Sequence, residues 1–149
     1  MQEEVKISDG KQFIIIGMEK DNFAIDISYI ESIERMQKIT RVPKSQDYFH
    51  GIINLRGEII PVMSLRRKMG LEDLAFDDKT RIIIAKIESK HSVGLIVDSV
   101  MEVITLEKDN IEKAVSTIND DKNSKYIYGI GKYKDKLISL LELPTVVLE

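Results

Sequence analysis

The 149-residue chain contains no cysteine and no tryptophan, and only two histidines and three prolines. Without cysteine there can be no disulfide framework, thiol nucleophile or thiolate metal site. Aromatic residues make up 6% and the net charge is −3, so neither the stacking platforms nor the basic footprint of a nucleic-acid binder is evident. No apolar run approaches the roughly 20 residues that span a bilayer. The acidic opening MQEEVKISDG does not read as a signal peptide. These absences lead to the expectation of a cytoplasmic protein. With 43% hydrophobic residues the chain can fill a core, enough for one domain or two intimately packed small ones.

The chemistry-bearing residues are equally sparse. His50 and His91 lie in no nucleophile motif, and G-x-S-x-G does not occur. Glu72, Asp73, Asp77 and Asp78 lack the alternating ligands and central glycine of a calcium loop, so they read as a solvated acidic loop. Gly129-x-Gly131 has no third glycine at dinucleotide spacing. Asp26 and Asp98 end equivalent apolar runs and could form an acid/base pair, but recurring turn or cap residues explain them more simply. No catalytic residue, metal site or cofactor is expected.

What is present is a repeat. Gly51 to Leu65, GIINLRGEIIPVMSL, reads as strand, turn, strand, with Arg56-Gly57 at the reversal. Gly57 supplies the positive φ that such a turn needs. Pro61 removes a donor, which predicts an edge or bulged strand there. Gly129 to Leu143, GIGKYKDKLISLLEL, repeats the design without a gap. Gly51 falls on Gly129, Ile60 on Ile138, Arg56 on Lys134 and, upstream, Tyr48 on Tyr126. RIIIAKIE (81–88) likewise echoes the run from Phe13 to Glu19, and Val93–Val97 echoes Phe23–Ile27.

Between these blocks the pattern predicts a helical turn leading into a short strand over 28–36, then a basic connector to Gln46. It also predicts a helical turn near 45–49 and short helices over 64–69, 107–114 and 143–148. The acidic loop 71–79 divides the chain, with about 12–70 forming mainly one barrel and 80–142 mainly the other, and strand exchange possible where they join. Several short strands separated by turns point to small closed sheets. Ile27, Ile30 and Ile33 after the first hairpin, and Val100 and Met101 after the second, are either core or an apolar ridge for a partner helix.

The blocks FAIDI (Phe23–Ile27), TRVPKS (Thr40–Ser45), GIINLRGEIIPV (Gly51–Val62), VGLIVDSVMEV (Val93–Val103) and YIYGIGKYKDKLISLLEL (Tyr126–Leu143) occur in the order found in one family. On these residues the sequence resembles the CheW family of chemotaxis coupling adaptors. The resemblance implies a mainly β fold, with two intertwined five-stranded SH3-like barrels and short helices, within a single domain over 1–149. It also implies no catalysis and no cofactor. The implied partners are the regulatory domain of the histidine kinase CheA and the cytoplasmic tip of transmembrane chemoreceptors, in membrane-associated receptor arrays.

Carried over by position, the receptor-facing groove would comprise Ile14, Ile27, Ile30, Ile33 and Val100, with Arg56 nearby. Gly51, Gly57, Pro61 and Gly129 would be structural, and the kinase contact is expected on the end of one barrel. Some relatives carry a glutamate where this chain has Ser32, so Glu31 or Glu34 would have to partner Arg56. A tandem-barrel module for single-stranded nucleic acid is the alternative, supported only by Lys38, Arg41, Lys44, Arg66, Arg67 and Lys68.

Overall fold

Strand β1 (Lys11–Met18) is apolar on both faces, and this double burial sets the architecture. In the computed structural model, which describes residues 10–87, 91–113 and 124–148, Phe13 and Ile15 point into one core and Ile14, Ile16 and Met18 into another. Period-two alternation makes that separation automatic.

The chain continues through β2 (Asp21–Asp26), a 3-10 turn (Ile27–Tyr29), β3 (Ile30–Arg35), β4 (Phe49–Leu55), β5 (Glu58–Ser64) and α1 (Leu65–Lys68). The second half supplies β6 (Arg81–Lys86), β7 (Ser92–Val97), β8 (Ser99–Leu106), β9 (Ile111–Lys113), β10 (Ile127–Tyr133), β11 (Lys136–Leu141) and α2 (Leu143–Leu148). Two sheets result, in the orders β8-β1-β2-β11-β10-β9 and β3-β6-β7-β5-β4. Each curls into a small SH3-like barrel. We call the first barrel A and the second barrel B; barrel A has a sixth strand, the three-residue β9, beyond the five expected.

Each barrel takes two strands from the other half of the chain: β1 and β2 enter barrel A, and β6 and β7 enter barrel B. Three apolar clusters follow. Phe13, Ile15, Ala24, Ile104, Leu106, Ile138 and Leu140 fill barrel A. Ile53, Ile60, Val62, Ile82, Ile84 and Ile96 fill barrel B. The third and largest lies between the barrels, where Ile14, Ile16 and Ile25 meet Met63, Ile83 and Leu95.

The repeat extends to backbone detail. Both hairpins turn through two positive-φ residues, Arg56-Gly57 and Lys134-Asp135, as a two-residue reversal requires. His50 and Tyr128 are equivalent bulge residues, the register jumping from Phe49 to Gly51 and from Ile127 to Gly129. The Ser64 amide donates to the Tyr48 carbonyl and the Glu142 amide to the Tyr126 carbonyl, each at 2.6 Å. Lys68 bridges the repeats, its ammonium 3.9 Å from the centre of the Tyr48 ring and 6.0 Å from that of Tyr126.

Three expectations are corrected. Residues 107–114 form no helix: a 3-10 turn at Lys108–Asn110 leads into β9, and Ala114 lies outside the described residues. The stretch 45–49 closes as an isolated turn, the Phe49 amide donating to the Gln46 carbonyl at 2.9 Å, and β4 begins there. β5 is an interior strand rather than an edge. Pro61 is tolerated because Ile52 opposite it spends both backbone groups on Thr40, so the proline nitrogen faces the β7 side, where pairing starts only at Val62. Ser124–Tyr126 form a 3-10 turn before β10, and residues 114–123 lie outside the described residues.

One buried charge joins the barrels. Arg66 of α1, 5% exposed, donates to Asp98 at 2.6 Å, to the Glu72 carbonyl at 2.7 Å and to Glu19. Asp98 also accepts the Glu19 amide at 3.0 Å. Burial alone would lower the Arg66 pKa, but the Glu19 hydrogen bond and the charges of Asp98 and Glu19 outweigh it and hold it above the ordinary value.

Two stability predictions follow. A Cβ at Gly51 (φ +145°) would stand 2.1 Å from the Thr40 carbonyl oxygen, whereas one at Gly57 would meet nothing within 4 Å. Gly51→Ala should therefore cost about 3 kcal/mol through strain and loss of the Thr40 bridge. Gly57→Ala should cost only about 1 kcal/mol, both read by urea unfolding. Arg66→Met should cost about 1 kcal/mol by the same measurement, because the carboxylates it leaves, Asp98 and Glu19, are 30% and 44% exposed and remain hydrated.

Candidate functional site

The apolar core between the barrels is not closed all round. Its margin is formed by β3 and β8, the terminal strands of their respective sheets. An edge strand is ordinarily a hazard that a protein blunts or uses.

Both strands have the same local construction. In a regular strand, residues three apart face opposite sides. Here a bulge corrects the parity. Ile30 pairs with Ala85 and Ser32 with Ile84, leaving Glu31 as the extra residue, so Ile33 comes opposite Ile83. Ala85 and Ile83 belong to the inter-barrel core, so Ile30 and Ile33 share that face. In β8, Val100 pairs with Ile16 and Glu102 with Ile15, leaving Met101 extra, so Val103 comes opposite Ile14. Val100 and Val103 therefore also share the inter-barrel face. Spacing that reads as helical in the sequence is, in the fold, the spacing of a bulged strand.

The result is a graded apolar surface. Ile14 is 3% exposed and forms the floor. Ile27, Tyr29, Ile30 and Val100 are half-buried against the core. Ile33 is 40%, Val103 51% and Met101 53% exposed along the rims. Val103 is the residue that the sequence reading missed. Its signal lay in the repeat, since it stands to Val100 as Ile33 stands to Ile30.

Arg56 sits elsewhere. Its side chain is 75% exposed and pairs with Glu34 at 3.8 Å, a separation that contributes little by itself. Glu34 lies opposite Ile82 on the barrel-interior face of β3, away from Ile30 and Ile33. The pair thus ties the tip of the β4-β5 hairpin to the far edge of the same sheet. Glu34, not Glu31, is the carboxylate beside Arg56; Glu31 accepts the hydroxyl of Ser92.

Possible catalytic groups are committed to structure. Asp26 accepts the Ser28 amide at 2.9 Å as a cap, and Asp98 holds Arg66. Ser64, Asp73 and His50 do come together, but in the wrong order for a nucleophilic relay. Ser64 donates to Asp73 at 2.7 Å and His50 bonds to the other Asp73 oxygen at 3.0 Å, so the carboxylate stands between hydroxyl and imidazole. Ser64 also caps α1, accepting the Arg67 amide at 3.2 Å. This cluster pins the loop after α1 to β4. No group of three metal-ligating side chains occurs among the described residues, nor does any helix long and apolar enough to cross a membrane.

Comparison with known proteins gives concordant results. Residues 12–148 match the model of the CheW-like domain. The chain is 34% identical over 142 residues to the chemotaxis protein CheW of Bacillus subtilis, covering 95% of this chain and 90% of the relative. It is 32% identical to CheW of Helicobacter pylori, covering 91% and 81%. The crystal structure of the scaffolding protein TtCheW from Thermoanaerobacter tengcongensis superposes with a TM-score of 0.80 at 32% identity, covering 89% of each chain.

The Asp73 cluster yields a pH prediction. Burial would raise this carboxyl, but the Ser64 hydrogen bond and the charges of His50 and Arg67 outweigh it and hold it below its ordinary value of 3.8. Its contribution to stability is complete above that value and is lost as pH falls through the folded-state pKa. Stability should therefore decline on acidification below about pH 4, and less steeply in Asp73→Asn, as measured by thermal unfolding across pH.

Proposed function

Because the chain belongs to the family of CheW-like domains, we propose that it is a non-enzymatic adaptor of bacterial chemotaxis that couples transmembrane chemoreceptors to the histidine kinase CheA. The observation that carries this reading is the pair of bulged edge strands flanking an exposed apolar margin. Such a margin suits the apolar stripe of a partner helix, read through anchors three and four residues apart. The cytoplasmic tip of a chemoreceptor is the helical partner proposed, seated on Ile27, Ile30, Ile33, Val100 and Val103 over the floor of Ile14. Arg56 and Glu34 would act beside this groove, by holding the hairpin tip, rather than within it.

The regulatory domain of CheA would engage the end of one barrel, leaving the groove free, so that both partners bind at once. The protein would be cytoplasmic and recruited to membrane-associated receptor arrays through these contacts. Single-stranded nucleic acid is disfavoured as a partner, because Arg66 is spent on Asp98 and Glu19, and Arg67 on Asp73 and the Asp47 carbonyl.

The test is a three-way titration of the chain with the kinase regulatory domain, a receptor-tip fragment, and both. Separate binding to each and one ternary complex are expected; binding to neither folded partner refutes the coupler. Ile33→Glu and Val103→Glu should each weaken receptor binding at least tenfold, a loss of about 1.4 kcal/mol or more, while retaining kinase binding. Full receptor affinity in both variants would move the site off the groove.

A further inference from the structure

Barrel A ends in a cavity of about 550 Å³, and the strand registers explain its origin. The inward positions of β10 at this end are Gly129 and Gly131, opposite Lys113 and Ile111 of β9. Neither glycine has a side chain to fill the barrel end. A Cβ at Gly131 would stand 2.6 Å from Leu106, and one at Gly129 would stand 3.4 Å from Ile111, so both neighbours have settled onto bare backbone. In barrel B the position equivalent to Gly131 is Ile53, which is 2% exposed and part of that barrel's core.

The lining is apolar below and cationic above. Phe13 (0% exposed) and Leu106 (2%) close the bottom, and Ile111 and Tyr128 form walls. Lys11 pairs with Leu106 and lies two residues before Phe13, so it shares their inward face. Lys113 shares the face of Ile111 in the same way, and Lys108 completes the rim from the turn between β8 and β9. A lysine so placed lays its stem along the wall and carries its charge to the opening. No carboxylate among the described residues pairs with any of the three, whereas Lys132, on the opposite face of β10, is matched by Glu112 at 3.5 Å. No acidic residue lines the cavity, and Asp26, opposite Phe13, is engaged by the Ser28 amide at 2.9 Å.

The residue types at this mouth recur in barrel B. Met36, Lys38, Ile39, Arg41 and His50 stand where barrel A has Leu106, Lys108, Ile111, Lys113 and Tyr128, with Asp109 and Asn110 inserted in the second copy. Closing a barrel end calls for the apolar members of this set. It does not call for a cation at the same two places in both copies. Barrel A is the copy with room and a third cation. In barrel B, Ile53 takes the space that Gly131 leaves, and Asp73 brings a carboxylate to His50 at 3.0 Å.

The volume, and an apolar lining with a few charged groups, are those of a small-molecule site. Cations around an apolar floor select an anion with an apolar body. The lining offers no amide or carboxylate side chain to read a base or a sugar, and the Tyr128 hydroxyl is its single neutral polar side-chain group. Burial first, and then the charges of Asp26 and Glu142 and the neighbouring Tyr29, push that hydroxyl up to about 12, so this wall adds no negative charge. The body that fits is hydrocarbon.

We propose that the mouth of barrel A binds a small amphipathic carboxylate. Its hydrocarbon chain lies against Ile111 and Tyr128 over the floor of Phe13 and Leu106, and its head group sits among Lys11, Lys108 and Lys113.

Decanoate is the probe, added below its micelle threshold to the isotope-labelled full chain, with decanol as the tail-only control and acetate as the head-only control. Saturable shifts of the Leu106, Ile111, Lys113 and Tyr128 amide signals are expected, about tenfold tighter with decanoate than with either control. The double variant Lys108→Glu/Lys113→Glu changes exposed side chains only, so its amide spectrum should otherwise match that of the parent. It should bind decanoate about tenfold more weakly or worse. The Ile39 and His50 signals should change little. Absence of saturable shifts at the barrel A mouth, equal affinity for decanol, or undiminished affinity in the double variant overturns the proposal. Shifts centred instead on Ile30, Ile33 and Val103 would show an anion seeking any open apolar surface and would also overturn it.

Discussion

Burial of β1 and β6 on both faces is the constraint from which the rest of the structure follows. Phe13 and Ile15 must have a barrel interior, and Ile14 and Ile16 must have something else apolar to cover them. Ile82 and Ile84 stand against Ile83 and Ala85 in the same way. A single curled sheet can satisfy only one face of such a strand. Two curled sheets laid together satisfy both, and the core between them is then as much a part of each barrel as its own interior. Exchanging β1-β2 for β6-β7 between the halves delivers these two-faced strands to the shared core.

The same arrangement explains why the open surface lies where it does. β3 and β8 end their sheets at the rim of the shared core, so their inward faces are only partly covered. Each bears one extra residue at the same place, and that residue turns two branched side chains toward the rim instead of one. Repeat symmetry thus presents one local device twice, once on each edge strand beside the shared core. The charged features lie outside this surface: Arg66 is buried between the barrels, Arg56 stays at a hairpin tip, and Asp73 secures the loop over barrel B.

Much of this was legible in the sequence. The gapless hairpin repeat fixed the turns at Arg56-Gly57 and Lys134-Asp135, because local sequence chooses a two-residue turn almost unaided. α1 was legible from Ser64 as its cap and Gly70 as its stop. Residues 107–114 misled because their apolar and charged spacing also suits a 3-10 turn followed by a three-residue edge strand, and pairing with Gly129 to Gly131 decided between them. That Ile30 and Ile33 share one face was anticipated for an incomplete reason. Ile30 and Ile33 were separated by a helical interval, and only the bulge at Glu31 reconciles that interval with a strand. Val103 went unnoticed because its environment depends on Ile14, distant in the chain. The choice of Glu34 over Glu31 for Arg56 could not be read either, since strand parity after a bulge is a tertiary outcome.

The exchange of strands also has a temporal side. β1 and β2 precede the other strands and can form their hairpin as soon as both are made. Their remaining neighbours, β8 and β11, are made only after β3 to β7. Until β8 is made, β1 has one edge unpaired and its barrel-A face bare. The pairing that shelters it has high sequence separation, which slows folding and prolongs exposure to aggregation. Barrel B can close on its own schedule once β7 is out, so the nascent chain has one finished lobe and one waiting strand pair until β8 to β11 follow.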